Sequence, residues 1–224
     1  MTNRMFLPLL FGLIGCAILV SLGMWQVNRL AWKEVLLSAI DARIATAPVA
    51  LPESFEREVD RFLPVRATGT FGEDRIRVLV SQKKVGPGYR IISPFVVGGR
   101  TIMVDRGFIS IADALPAPPA GMVTVTGNLH WPDEVDSFTP EPDKKSDIWF
   151  ARDVDRMAAE LKAEPVLLIL RSASPATPEI APLPVSRAGI PNDHLTYAIT
   201  WFSLAVIWFG MTVFLLWRIR QRTV

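Results

Sequence analysis

Cysteine and histidine are scarce in this sequence. Among its 224 residues, Cys16 is the only cysteine, and His130 and His194 are the only histidines. A single cysteine excludes an intramolecular disulfide, a Cys-x-x-Cys redox or zinc site and a covalent Cys-x-x-Cys-His haem attachment. The seven methionines are scattered, so the clustered soft ligands that a copper site needs are also missing.

Familiar catalytic motifs are missing as well. The sequence has no Gly-x-Ser-x-Gly, no His-Glu-x-x-His and no Walker loop. Asp105, in Asp105-Arg106-Gly107 at a predicted strand end, fits either the carboxylate of a membrane-tethered hydrolase or a structural ion pair. We favour the ion pair. His130 falls on the polar face of a predicted strand, where we expect solvent exposure.

Charge is missing from two long apolar runs, residues 5–28 and 195–217. At about 1.5 Å per helical residue, each run spans a hydrocarbon core of roughly 30 Å. We therefore expect the lipid bilayer as a partner. The predicted segments are a transmembrane helix over 5–28, a helical extension over 29–47, an extracytoplasmic domain over 48–193, a second transmembrane helix over 194–217 and a cytoplasmic tail over 218–224.

The first run has a possible alternative as a cleaved signal. Leu13-Ile14-Gly15-Cys16 fits a bacterial lipobox, in which Cys16 would be lipidated after cleavage. The apolar run continues to Trp25, whereas a lipoprotein usually becomes polar soon after its cysteine. It is also longer than a typical signal core. We therefore expect a retained helix.

The distribution of charge predicts the topology. Arg218, Arg220 and Arg222 follow the second run, and the positive-inside rule places them in the cytoplasm. Two spans bring the amino terminus to the same side and leave the domain outside. The formal net charge is only +2, and the basic residues at the membrane flanks leave no basic face on the domain. No nucleic-acid partner is expected.

The middle of the chain has the period of half-buried strands. Apolar and polar residues alternate over 65–71, 76–80 and 123–130. Gly98-Gly99 predicts a tight hairpin turn, and Pro94 predicts an edge or a bend in the strand before it. Four apolar residues at helical spacing, Val154, Met157, Ala158 and Leu161, predict one amphipathic helix capped by Asp153. We expect a membrane protein whose two terminal transmembrane helices flank an extracytoplasmic α+β domain, mainly antiparallel β with one packed helix.

The polar start of the second run carries His194. Asn192 or Asp193 is a reasonable helix N-cap, and His194, Tyr197 and Trp201 share one helical face. The positive end of a helix disfavours an imidazolium, and neutral imidazole is the form that binds a metal or haem iron. An interfacial histidine within an ordinary aromatic belt explains the same pattern. The residues alone leave both interpretations open.

Two motifs mark the predicted membrane edges, and others lie between them. The edge motifs are Leu22-Gly23-Met24-Trp25-Gln26-Val27-Asn28-Arg29 and Asn192-Asp193-His194-Leu195-Thr196-Tyr197-Ala198-Ile199-Thr200-Trp201. The central motifs are Gly86-Pro87-Gly88-Tyr89, Pro94-Phe95 and Val104-Asp105-Arg106-Gly107-Phe108. Over nearly the whole chain, this pattern resembles the surfeit-locus protein one (Shy one-like) family of cytochrome c oxidase assembly factors. The chain departs from the family at Thr196, where glutamine is more common.

The resemblance implies a non-enzymatic factor that binds haem a and aids its insertion into, or retention by, subunit I of haem-copper cytochrome c oxidase. It implies non-covalent haem a with His194 as the iron ligand. Trp25, Tyr197 and Trp201 are then expected to line the macrocycle, and Arg29 to meet a propionate. Subunit I and haem a synthase are the expected protein partners. The expected location is the bacterial inner membrane, with the mitochondrial inner membrane as the alternative.

A different class of function fits the same resemblance. The protein would then be a cofactor-free membrane scaffold that stabilises subunit I during oxidase assembly. Haem that co-purifies with the protein distinguishes the two hypotheses, because a scaffold carries none.

Overall fold

The computed structural model describes residues 3–83, 85–143, 145–187 and 190–221, and these contain four helices and eight strands. In chain order they are α1 (Asn3–Ile44), β1 (Val49–Ala50), α2 (Arg57–Asp60), β2 (Pro64–Phe71), β3 (Ile76–Gln82), β4 (Gly86–Val97), β5 (Arg100–Ser110), β6 (Val123–His130), β7 (Ile148–Trp149), α3 (Val154–Leu161), β8 (Leu167–Ser174) and α4 (His194–Gln221). Arg222, in the predicted tail, lies outside the described residues.

The chain divides into two compact units. The first, here called the helix pair, comprises Met1–Ala39 and Arg187–Val224. The second, here called the β domain, comprises Ile40–Ser186. Helices α1 and α4 are long and apolar enough to cross a membrane, judged by length and composition. Helix α1 ends at Ile44, so the helix stops short of the predicted end of the extension at residue 47.

A closed barrel forms the centre of the β domain. Among the described strands, five make the ring in the order β2, β6, β8, β5, β4 and back to β2. Neighbours are antiparallel, except that β5 and β8 are parallel. The ring closes where Thr70 of β2 pairs with Val96 of β4. At the adjacent Gly69 a Cβ atom would lie 2.0 Å from the Val96 carbonyl oxygen, so the closure requires glycine there.

Strand β4 changes partner along its length. Its first part pairs with β3 as far as Ile92, and its last part pairs with β2 from Phe95. Pro94 lies between the two partners, and a register shift at Arg90 and Ile92 marks a bulge. The bulge lies before Pro94, so the predicted bend at Pro94 itself stays a prediction, whereas the predicted edge strand is wrong because β4 has neighbours on both sides. Pro94 pairs with Met103 of β5 but lies outside both the β2 and the β3 ladder, so its missing N–H costs no hydrogen bond to either of those strands.

The predicted hairpin and helix are both confirmed. Strands β4 and β5 form an antiparallel hairpin across Gly98 and Gly99, both of which have positive φ. Asp153 caps α3 through a hydrogen bond from the Arg156 backbone N–H to its side chain at 3.1 Å. Met157 on α3 is fully buried, so this helix covers part of the barrel core.

The β domain has one main core cluster and a smaller, separate cluster of Ile91, Ile109 and Ile180. The largest fully buried side chains of the main cluster come mainly from the barrel strands and from α3: Phe95, Ile76, Ile92, Ile102, Met103, Leu129, Met157, Leu167, Leu168, Ile169 and Val65. The indole Nε1–H of Trp131 donates to the Pro165 carbonyl at 2.8 Å, which satisfies the polar atom of a buried ring. The alternating pattern of the sequence thus corresponds to the inward faces of a closed barrel.

Candidate functional site

Small residues on α1 bring the two long helices into close contact. The helices run antiparallel, since Gly12 lies against Thr212 whereas Gly23 lies against Phe202. A Cβ atom at Gly12 would lie 2.1 Å from Thr212 Cγ2, and one at Gly23 would lie 2.6 Å from Phe202 Cε1. Small residues of this kind let helix backbones approach closely where no water drives association.

His194 lies at one end of this contact, as the first residue of α4. Its Nδ1 is 2.8 Å from Oε1 of Gln26 on α1. Gln26 is only 8% exposed and His194 is half-buried. An uncharged amide on one helix therefore engages a specific nitrogen of the imidazole on the other.

Asp193, one of the two predicted caps, is the residue immediately before α4. The Asp193 carbonyl accepts a hydrogen bond from the Tyr197 backbone N–H at 3.1 Å. The Asn192 Oδ1 atom is buried and has no hydrogen-bond partner among the described residues. Of the two predicted caps, Asn192 does not serve as one through this oxygen.

The other predicted site residues do not contact His194 in the way that Gln26 does. Trp25 is 57% exposed and Tyr197 is 55% exposed, whereas Trp201 is half-buried. The Arg29 guanidinium carbon lies 4.0 Å from the ring centroid of Trp32. In the described part of the chain, no ring contact or hydrogen bond joins His194 to these residues. They offer aromatic surface and a cation on the same helices without forming an enclosed pocket.

This set of residues could hold haem, but it has too few ligands for a bare metal ion. Among the described residues, no group of three or more His, Cys, Asp and Glu side chains could hold a metal ion. A porphyrin supplies four nitrogen ligands itself, so a protein needs only an axial group such as a histidine. His194 fits this requirement because Gln26 engages one of its ring nitrogens and orients the ring.

The sequence places Gln26 in an edge motif at the outer membrane edge, near the level of His194, but assigns no role to its side chain. Its signal was a polar amide inside a long run without charge. A polar group in such a run needs a hydrogen-bond partner. The partner's identity depends on how α1 and α4 are aligned, which helical spacing within one run cannot give.

A second polar centre surrounds Asp105 on β5. The Asp105 side chain is fully buried, and its Oδ2 accepts from Arg90 Nη1 at 2.5 Å and from Arg152 Nη1 at 3.4 Å. Its Oδ1 accepts from the Gly107 backbone N–H at 3.1 Å. Because both carboxylate oxygens are engaged, the geometry favours the structural ion pair over a catalytic carboxylate.

Arg152 extends this cluster to Glu134. Its backbone N–H and its Nε donate to Glu134 at 3.0 and 3.1 Å. Burial opposes the charge of Arg152, but the hydrogen bonds and charges of Glu134 and Asp105 outweigh it and raise the Arg152 pKa. Burial also acts to raise the pKa of Glu134, yet the bonds to Arg152 leave that pKa below its ordinary value. Together with Arg90, these residues make a network of balanced charge that runs from the fully buried Asp105 to the exposed Glu134.

His130 differs from its predicted exposure. Its ring is half-buried and stacks on Phe62 with 5.0 Å between centroids. Its Nδ1 is buried without a hydrogen-bond partner among the described residues. Burial, followed by the nearby charges of Arg152 and Arg61, lowers the His130 pKa to about 4. The alternation of residues along the strand correctly identifies a polar face, but it cannot show that Phe62, which lies outside the strand, covers His130.

Comparison with known proteins gives a consistent family. The model of the SURF1 family matches residues 13–206. A "SURF1-like protein" of Drosophila melanogaster is 33% identical over 222 residues, covering 86% of this chain and 73% of the fly protein. A "SURF1-like protein" of Rickettsia felis is 29% identical, covering 87% of this chain and 90% of that protein. The human "Surfeit locus protein 1" is 27% identical, covering 84% and 72%.

Proposed function

The chain belongs to the SURF1 family, and from this premise we propose that it is an assembly factor for haem-copper cytochrome c oxidase. Family membership suggests the role in oxidase assembly. The finer proposal is that the protein binds haem a and aids its insertion into, or retention by, subunit I. It acts without catalysing a reaction of its own.

The observation that carries the haem proposal is the contact between His194 and Gln26. An imidazole at the start of α4 is oriented by a buried amide at 2.8 Å, as histidine ligands of metals commonly are by a neighbouring group. Haem a, when bound, supplies the redox-active iron of the oxidase. His194 would hold the iron, Trp25, Tyr197 and Trp201 would offer apolar surface to the macrocycle, and Arg29 would supply a cation for a propionate.

The exposed aromatic residues also suit temporary binding. Trp25 and Tyr197 are both more than half exposed. Aromatic surface that the chain itself leaves uncovered is open to a ligand and to a recipient protein. We propose subunit I as that recipient and haem a synthase as the source.

The two apolar helices are compatible with membrane anchoring. We propose that both cross the bacterial inner membrane, with both termini in the cytoplasm and the β domain in the periplasm. Arg218 and Arg220 in the last turn of α4 support this orientation through the positive-inside rule. A mitochondrial inner membrane is the alternative location.

Haem content of the purified protein tests the proposal. Wild type, His194→Ala, Trp25→Leu and His130→Gln are produced in cells that make haem a, purified identically in detergent, and compared for Soret absorbance per protein. His194→Ala should lose most of the haem because the iron loses its ligand. Trp25→Leu should lose less, because it removes stacking surface and keeps the ligand. His130→Gln is the matched control for the second histidine and should retain wild-type haem.

Two other results would contradict the proposal. Equal haem in wild type and His194→Ala would eliminate His194 as the ligand. No haem in any variant, together with oxidase assembly that still depends on the protein, would favour the cofactor-free scaffold. In that case His194→Ala should support oxidase assembly as well as wild type does.

A further inference from the structure

We propose that Gln26 is a positioning residue that fixes the tautomer of His194, so that Nδ1 carries the proton and Nε2 is the nitrogen presented to iron. This inference deepens the proposed function and rests on it for the identity of the ligand. The contact between the buried amide of Gln26 and one ring nitrogen of His194 is present in the chain without haem.

The geometry selects the tautomer. The Gln26 atom facing the ring is Oε1, at 2.8 Å from Nδ1. A carbonyl oxygen only accepts hydrogen bonds, so Nδ1 has to be the donor. A neutral imidazole carries a single N–H, which leaves the lone pair on Nε2. In the described residues, no hydrogen bond involves Nε2.

The packing of the helices holds the amide in place. Gly23 lies one turn before Gln26, and a Cβ atom there would overlap Phe202 of α4 at 2.6 Å. Ala198, one turn after His194, is 2% exposed. Small residues on both helices therefore allow the close approach that lets a glutamine side chain span from α1 to the imidazole. Gln26 is itself 8% exposed, so water does not readily replace its oxygen.

The chemistry also explains an amide at this position. A carboxylate would accept from Nδ1 equally well, but its charge would favour the doubly protonated ring, which has no lone pair for iron. A neutral amide accepts the bond without this effect. It also avoids the cost of a buried charge in an apolar run.

The test uses the full-length chain labelled with ¹⁵N-histidine in detergent, without haem. Only two histidines are present, so His130→Gln assigns the ring signals unambiguously. Wild-type His194 should show a protonated Nδ1 and an unprotonated Nε2. Gln26→Met keeps the length of the side chain and removes the acceptor, so both tautomers should appear. Gln26→Glu restores an acceptor and should restore the Nδ1–H form of the neutral ring.

Titration with haem a supplies the second measurement. Gln26→Met should weaken haem binding by about 10–100-fold, the usual effect of removing a group that orients a metal ligand. Trp208→Phe is the matched control, because it removes the hydrogen bond from Trp208 to the Gly12 carbonyl and leaves Gln26 intact. It should keep the His194 tautomer and the haem affinity of wild type.

The outcomes separate this inference from the proposed function. An Nε2–H form of His194 in wild type, or an unchanged tautomer and haem affinity in Gln26→Met, would overturn the role of Gln26 while haem binding through His194 could stand. A fixed Nδ1–H form with no haem binding in any variant would refute the proposed function and leave the tautomer assignment in place. If Gln26→Met lowers thermal stability without changing the tautomer, Gln26 serves only to pack the two helices together, and its positioning role is wrong.

Discussion

Trp208 of α4 donates a hydrogen bond from its indole Nε1 to the backbone carbonyl of Gly12 on α1, at 3.2 Å. The contact lies within the apolar part of the helix pair, where few polar groups are available as partners. Thr212, one turn further along α4, fills the space that a side chain at position 12 would need. The pairing of the two helices thus depends on the absence of a side chain at Gly12.

Gly12→Leu should separate the two helices. Cys16 is the only cysteine, and its Sγ lies 3.8 Å from the Ala205 carbonyl oxygen. An Ala205→Cys variant should therefore form an intramolecular disulfide with Cys16 under mild oxidation. Adding Gly12→Leu should lower the yield several-fold, measured by non-reducing electrophoresis. Gly210→Leu is the control, because no heavy atom lies within 4 Å of a Cβ there, and its yield should remain unchanged.

Asp105→Asn should destabilise the β domain. The change leaves the partly buried guanidinium groups of Arg90 and Arg152 without the fully buried counterion that they share. Removing one partner of a buried pair costs about 3–5 kcal/mol. Hydrogen exchange of barrel amides reports the loss. The matched control is Asp155→Asn, whose exposed ion pair with Arg57 should contribute at most about 1 kcal/mol. Equal protection in wild type and Asp105→Asn would refute the structural role.

His130 should make the stability of the β domain depend on pH between about 4 and 6.5. Its folded pKa is lowered from 6.5 to about 4, so within this window the unfolded chain binds a proton that the folded chain does not. Unfolding free energy should then fall as the pH drops from 6.5 to 4, by roughly 3 kcal/mol for such a shift. His130→Phe removes the titrating group, so its stability should vary less over the same window in parallel denaturation experiments. An identical pH profile in the variant would assign the effect to other groups.

Topology is testable without purification. A reporter that is active only outside the cytoplasm should work when inserted near Pro118, in the β domain, and should fail when fused after the last residue. Reversing Arg218 and Arg220 to Glu should weaken this preference, because these arginines follow the apolar run. Activity at the carboxyl terminus and none near Pro118 would reverse the proposed orientation and the placement of His194.

The local sequence pattern predicted individual helices and strands, but it could not predict which distant strands pair with one another. The hairpin at Gly98 and Gly99 and the capped helix at Asp153 each depend on neighbouring residues, so the sequence alone was sufficient. Barrel closure depends on β8 lying between β6 and β5. That order joins strands that are distant in the sequence. The alternation of apolar and polar residues shows which face of a strand is buried, but it does not show which strand lies next to it.

The candidate site likewise contains residues that the local sequence identifies and contacts that it does not. His194 was found from its position at the start of an uncharged helix, which is a local property. Gln26 and the stacking of Phe62 on His130 are contacts between distant segments. The predicted roles of Trp25 and Tyr197 require a ligand and stay predictions. Arg29 is stacked on Trp32, a local cation–π pair that has to open if the guanidinium is to reach a propionate.

The late position of β8 in the chain sets the order in which the protein can mature. Strands β5 and β6 both pair with β8, so each keeps an open edge until Ser174 has been synthesised. Unpaired strand edges promote aggregation, and contacts between distant segments form slowly. Helix α4 begins only at His194, after the whole ring has been synthesised. The growing chain therefore contains everything needed to close its barrel before it contains the histidine that we assign to haem.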